Sequence, residues 1–305
     1  CAPVSCGRCK RVTLNDLLLR GANLSVLVFV VSSMFGVGLR LTVQQILTPL
    51  RDAKLVTLSL VANFVVMPIG AIGLAKLLGL DEPLSIGLLL CGVAAGAPFL
   101  IKLAEIGKGD MAFAVGLMVL LMVVTVGYMP IVLPMVLAGV SVDPMKIARS
   151  LILLMMIPLA IGLVLKARAE SVAAWLSPIV GKVSGVSMIL VVSLTTAAHL
   201  RSMIGVLGSL AVVAAIVFTL LCAAVGWAVA GSKVETKSVL ALGTAQRNTA
   251  AALVVAGQNF SDPNVLVMIT VVMIVSFIVL MPLAGAIARR APLAATASVR
   301  PAGIR

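Results

Sequence analysis

A 305-residue chain that is 62% hydrophobic and 11% charged, with a mean hydropathy of +1.24, is not a water-soluble domain, because soluble chains carry roughly 25% charged residues. Its apolar runs are continuous, which excludes a transmembrane β-barrel, whose strands alternate over about ten residues. The formal net charge of +13 does not indicate nucleic-acid binding either, since the cations flank apolar runs instead of forming a patch of their own.

In chain order, the N-terminal tail (residues 1–20) carries Cys1, Cys6 and Cys9. A zinc site needs four ligands and no histidine lies nearby, so no metal or cofactor is expected there. Apolar runs follow at about 21–39, 55–75, 83–101, 111–142, 150–165, 183–200, 202–232, 238–258 and 263–288. Each is near or above the roughly 20 residues a helix needs to cross the hydrocarbon. The shortest, 150–165, reaches that length if Lys146 and Lys166 snorkel at its ends. The fold class expected is therefore an all-α polytopic membrane protein with nine crossings. Residues 168–182 are expected to join two halves, with Trp175 at the membrane interface. Cys91 and Cys222, inside apolar runs, read as small packing residues. Residues 289–305 form a C-terminal tail.

Nine crossings with a cytoplasmic C-terminus would put fourteen cations, Arg40 through Arg305, on the cytoplasmic side. Only Lys76, Lys146, Arg149 and Arg201 would fall in outer loops. This positive-inside bias predicts a multi-pass protein of the plasma (inner) membrane. The tail cations Arg8, Lys10, Arg11 and Arg20 run against it.

Two runs are interrupted by glycine, proline or polar residues, at Gly92–Pro98 (GVAAGAP) and Gly243–Thr249 (GTAQRNT). Each is followed by an aspartate, Asp110 or Asp262, and twenty residues later by a proline in a Met-Pro pair, Pro130 or Pro282. The second pattern lies 152 residues after the first. Five spans apart, the two breaks belong to antiparallel halves, 21–140 and 141–288. The first half has four helices against five, so its initial helix is expected to be missing. Matched interrupted helices in inverted repeats mark the midplane binding site of secondary transporters. Helix breaks persist in hydrocarbon only where protein or a water-filled cavity meets the freed backbone groups. Half-helix N-termini favour an anion, which predicts a substrate site at Gly96, Ala97, Pro98, Thr244, Gln246, Arg247, Asn248 and Thr249, with Pro98 in a first helical turn.

Arg247 is the one charge far from any span's end, and a central arginine costs several kcal/mol, so it faces a cavity or a partner. The bland alternative is a guanidinium bonded to unwound carbonyls or snorkelling to an interface. Lys102 has two readings: a helix-surface pair with Glu105, or an ammonium that reaches the crossing of the broken helices. Asn63 either glues helices together or lines the site.

These residues resemble the bile acid–sodium symporter family. The segments that carry the resemblance are Phe35-Gly-Val-Gly-Leu-Arg40, Asn63-Phe-Val-Val-Met-Pro68, the Gly92–Pro98 break followed by Gly109-Asp110, and Gly243-Thr-Ala-Gln-Arg-Asn-Thr-Ala-Ala-Ala252. The resemblance covers roughly residues 22–288 and implies a core domain with two crossing broken helices, a panel domain, and alternating access between them. It also implies sodium ligands at Leu100, Ile101, Ala114, Met118 and Ala241, none of whose side chains can ligate sodium. Asn63 matches a sodium-binding glutamine, and Gln246 would serve only if the alignment slips. All ten carboxylates fall in tails, loops or span ends. The coupling ion is thus open. The expectation is that Lys102 or Arg247 supplies the fixed positive charge bound sodium would bring, with a small organic anion as cargo and the lipid bilayer as the surrounding partner.

An enzyme is not expected. Gly107-Lys-Gly-Asp110 spells an intramembrane aspartyl-protease string, but no second aspartate lies in a neighbouring span. Asp110 and Asp262 instead read as helix-start carboxylates. His199, the sole histidine, is too isolated for a zinc site or a triad. A channel or membrane-bound sensor on the same scaffold is the alternative, and the oligomeric state is left open.

Overall fold

The computed structural model describes residues 14–47, 52–137, 143–198 and 210–297, and among these every regular element is helical. The elements are α1 (Leu14–Arg40), α2 (Val43–Leu47), α3 (Ala53–Leu77), α4 (Glu82–Val93), α5 (Leu100–Ile106), α6 (Met111–Val136), α7 (Pro144–Arg168), α8 (Glu170–Ala198), α9 (Leu210–Val229), α10 (Val234–Ala245), α11 (Thr249–Asn259) and α12 (Pro263–Ala297). Seven of them, α1, α3, α6, α7, α8, α9 and α12, are long and apolar enough to cross a membrane. The two interrupted runs are the half-helix pairs α4/α5 and α10/α11.

Several expected boundaries are corrected. The 150–165 run needs no snorkelling, because Asp143 caps Met145 and Lys146 and starts α7 at Pro144. Of the stretch 168–182 expected to join the halves, residues 170–182 are the first turns of α8, which carries Pro178 within it. The terminal boundaries move too, since α1 begins inside the supposed tail and α12 runs on to Ala297. The tail cysteines, His199 and Arg201 lie outside the described residues.

Both repeat aspartates start helices. Asp110 accepts from Phe113 N at 3.0 Å ahead of α6, and Asp262 from Asn264 N at 2.8 Å ahead of α12. Each satisfies an amide that the first helical turn leaves without a partner. These helices are apolar on every face, the pattern of an element buried all round. Accordingly α12 and α6 have 61% and 56% of their most apolar stretch buried, against 17% for α8. The first two are central and α8 is peripheral.

Packing sorts the helices. α1 lies along α7 and α8, while α9 packs on α10 and α12, α4 on α3 and α12, and α6 on α5 and α10. Gly38 of α1 meets Gly162 of α7 so closely that a Cβ on Gly38 would stand 2.8 Å from Leu163 N. α3 contains a π turn at Ala62–Val66, just before Pro68. Proline has no N–H to return to the preceding turn, so carbonyls there are left open. Phe64 O takes the Tyr128 hydroxyl, and Asn63 O takes a guanidinium at 3.4 Å.

Candidate functional site

The first break begins where Ala94 turns extended at the end of α4. Ala95 N donates to Thr125 Oγ1 at 2.9 Å, and the same hydroxyl donates to Ala95 O at 3.0 Å. One side chain of α6 thus replaces both helical partners of Ala95. Gly96 follows with φ +81°, and a Cβ there would stand 2.7 Å from Met118 O. Only glycine meets both demands, a left-handed conformation and backbone pressed on backbone. Pro98 is not in the first turn of the half-helix as expected. It sits in a turn whose Ala97 O accepts from Leu100 N, and α5 starts at Leu100.

The second break is shorter. α10 runs through Thr244 to Ala245, so Thr244 is still helical, and α11 restarts at Thr249. Asn248 caps α11 by accepting from Ala251 N at 3.1 Å. It also bonds the breaks together: its N–H donates to Ala94 O at 3.0 Å and its Nδ2 to Gly96 O at 3.1 Å. The two interruptions are joined directly, peptide to peptide.

Arg247 is 1% exposed, and its guanidinium does not face the cavity. Its Nε donates to Cys91 O at 2.9 Å and its Nη2 to Gly92 O at 2.5 Å. Its Nη1 donates to Asn63 Oδ1 at 2.7 Å and to Thr244 O at 3.2 Å. The expectation of a cavity-facing arginine is therefore corrected to the bonded-carbonyl reading. No carboxylate is needed, because the guanidinium sits where α4 and α10 end and their last carbonyls present the negative ends of two helix dipoles. Asn63 completes the cage and also donates to Thr244 Oγ1 at 3.2 Å.

Lys102 does not reach this crossing. It pairs with Glu105 at 2.8 Å, with both side chains more than half exposed. The implied sodium-ligand positions Leu100, Ala114, Met118 and Ala241 are buried apolar side chains, and Ile101 stands at the cavity wall.

Beside the joined breaks lies a cavity of about 550 Å3 between α1 and α8 on one side and the broken helices on the other. Ala97, Pro98, Gln246, Asn248 and Thr249 contribute to its wall, while Gly96, Thr244 and Arg247 do not. Phe29, Phe99, Met188, Met273 and Phe277 make much of it apolar, and Ser32, Ser33 and Ser184 add hydroxyls. Its charged residues are Arg40, Lys102 and Glu105. Gln246 is 4% exposed, and its Oε1 is buried with no hydrogen-bond partner. The contribution of α1 and α8 was missed from sequence. Its signal is a stripe of small residues at helical spacing, Ser32-Ser33-Gly36 on α1 and Gly181-Ser184-Gly185 on α8.

Half-helices joined at two breaks beside a mostly apolar cavity, within a set of membrane-length helices, define the class as a polytopic membrane protein. The model of the sodium bile acid symporter family matches residues 27–206, more than half of the chain, which therefore belongs to that family. Among curated relatives, a probable sodium/metabolite cotransporter BASS3, chloroplastic, of Arabidopsis thaliana is 23% identical over 147 residues, covering 48% of this chain and 34% of the relative. The protein of the same name from Oryza sativa subsp. japonica is 22% identical over 147 residues, covering 48% and 35%. The chain spans about a third of the length of these relatives.

Proposed function

We propose that this protein is a secondary transporter that carries a small organic anion by alternating access, and that it does so without sodium. The observation behind the reading is the 550 Å3 cavity, whose wall includes both breaks and whose charged residues sum to one net positive charge. Its apolar walls suit an amphipathic solute. The N-terminus of α11 at Asn248–Thr249 adds a partial positive charge beside it. Nine crossings, two of them interrupted, arrange the halves 21–140 and 141–288 as inverted repeats. The charge bias then orients the chain in an inner membrane with its C-terminus cytoplasmic.

Alternating access needs one end closed while the other is open. Lys146 Nζ donates to Gln258 O at 2.5 Å, and the Ser150 hydroxyl bonds the Gln258 side chain, tying α7 to α11. Gly162, which touches Gly38 near the Arg40 end of α1, lies sixteen residues past Lys146, about 24 Å along α7. The tie is thus at the end of the bundle opposite Arg40, Lys102 and Glu105.

Sodium is dispensable in this reading because the Arg247 guanidinium already fills a cage of five oxygen acceptors. A fixed cation there supplies the charge that a bound ion would bring. The test is counterflow of labelled organic anions in proteoliposomes with choline replacing sodium. Saturable exchange that persists without sodium is expected. Complete dependence on sodium refutes the uncoupled reading, and flux that never saturates indicates a channel instead of a carrier.

A further inference from the structure

Arg40 stands in the last turn of α1 and lies on the cavity wall. A lone cation at a helix end ordinarily extends into water or toward lipid headgroups. This one is drawn across the helix interface. Its Nε donates to Ser177 Oγ of α8 at 2.8 Å, and its Nη2 lies over Gly181, where a Cβ would come within 2.7 Å. Gly181 is therefore a notch that admits the guanidinium, and Ser177 fixes its orientation. Among the described residues Arg40 has no carboxylate partner, whereas Lys102 on the same wall is neutralised by Glu105 at 2.8 Å. The cavity's net charge thus resides on one held guanidinium, with its Nη groups available.

We infer that Arg40, seated by Ser177 and Gly181, is the subsite that receives the anionic group of the transported solute and selects charged over neutral cargo. The inference rests on the carrier reading above. Guanidinium matches carboxylate or sulfonate oxygens in a planar, two-pronged fashion, and a pre-seated fork loses little freedom on binding. From α1's wall residues Phe29 to Arg40 the cavity extends about 16 Å along the helix. A solute anchored at Arg40 then lays its apolar part toward Phe29, Met273 and Phe277 near the crossed breaks.

The test uses a matched pair of probes, hexanoate and hexanamide, which differ in charge and hardly in shape. Binding is read on the purified full-length protein as a ligand-dependent shift in thermal stability, which rises with occupancy of the folded state. Hexanoate is expected to bind more tightly than hexanamide. Arg40→Gln is expected to weaken hexanoate about 10- to 100-fold while leaving hexanamide unchanged, the loss of one charged hydrogen-bonding partner. Gly181→Ala retains the charge but fills the notch, and a smaller loss confined to hexanoate is expected. The inference is overturned if hexanoate produces no shift, if the wild type does not distinguish the two probes, or if the preference survives in Arg40→Gln. Counterflow separates this outcome from the carrier reading: saturable anion exchange with an Arg40→Gln variant of unchanged selectivity sinks the subsite and leaves the carrier standing.

Discussion

Replacing Arg247 with methionine keeps much of the side-chain volume and removes every donor from the cage. Three acceptors lose bonds of 2.9 Å or less: Cys91 O, Gly92 O and Asn63 Oδ1. A buried acceptor left unpaired costs about 1–3 kcal/mol, so the three together cost about 3–9 kcal/mol. Water entering the vacated space recovers part of that, leaving a net loss of about 3–5 kcal/mol, a large share of the 5–15 kcal/mol typical of folded proteins. Arg247→Lys keeps the charge but offers a single ammonium, and an intermediate loss is expected. The informative measurement is thermal denaturation of each purified variant against sodium concentration. The emptied cage of oxygens is a cation site, so Arg247→Met should gain stability with sodium, by about 2.7 kcal/mol at a hundred times the dissociation constant, while the wild type should not respond. A wild type stabilised by sodium, or a variant that melts like the wild type, refutes the reasoning.

Gly96→Ala should cost about 3 kcal/mol or more, from its left-handed backbone and the collision with α6, whereas Gly73→Ala, with nothing within 4 Å, should be neutral or slightly stabilising; parallel melting curves decide. Asn248→Ala removes both the cap of α11 and the bond to Gly96 O, about 2–3 kcal/mol together, and Asn248→Asp, which keeps the cap alone, should fall between it and the wild type. Gln258→Ala removes the Ser150 bond and Lys146→Met removes the bond to Gln258 O, so in the double variant the tie between α7 and α11 is gone and a thiol introduced by Ser184→Cys should react faster with a membrane-impermeant reagent added outside; an unchanged rate would mean the tie closes nothing. Glu105→Gln should change the melting point little, because the pair is exposed, but should tighten hexanoate binding by leaving Lys102 uncompensated.

Much of this was legible in the chain. The interruptions at Gly92–Pro98 and Gly243–Thr249 stand out as breaks because glycine, proline and adjacent polar side chains weaken a helix and are costly to place against lipid. Asp110 and Asp262 announce helix starts for a local reason, a carboxylate two or three residues before a free amide. Arg247 shows the limit. Its cost in an apolar span is plain from sequence, but its direction depends on carbonyls from α3, α4 and α10 that converge only in three dimensions. Its nearest acceptor side chain, Asn63, is 184 residues away. Helix ends were the other weak point. An apolar run reports hydrophobic length, whereas α7 extends past its run through a turn capped by Asp143 and α8 through first turns that begin at Glu170, which no hydropathy pattern marks. The wall of the cavity on α1 and α8 was invisible for a similar reason, since serine and glycine at helical spacing look like ordinary close packing.

The bonds that the Asn248 N–H and side-chain amide give to Ala94 O and Gly96 O constrain how such a protein moves. Pulling the two fractured segments apart would strand several amides in a medium that offers no replacement. In the proposed carrier they therefore travel as one riveted piece, and the sliding surface is the seam beside them, where α1 and α8 meet that piece across serine, glycine and aromatic surfaces. A solute carried in this way would pass alongside the rivet, never through it.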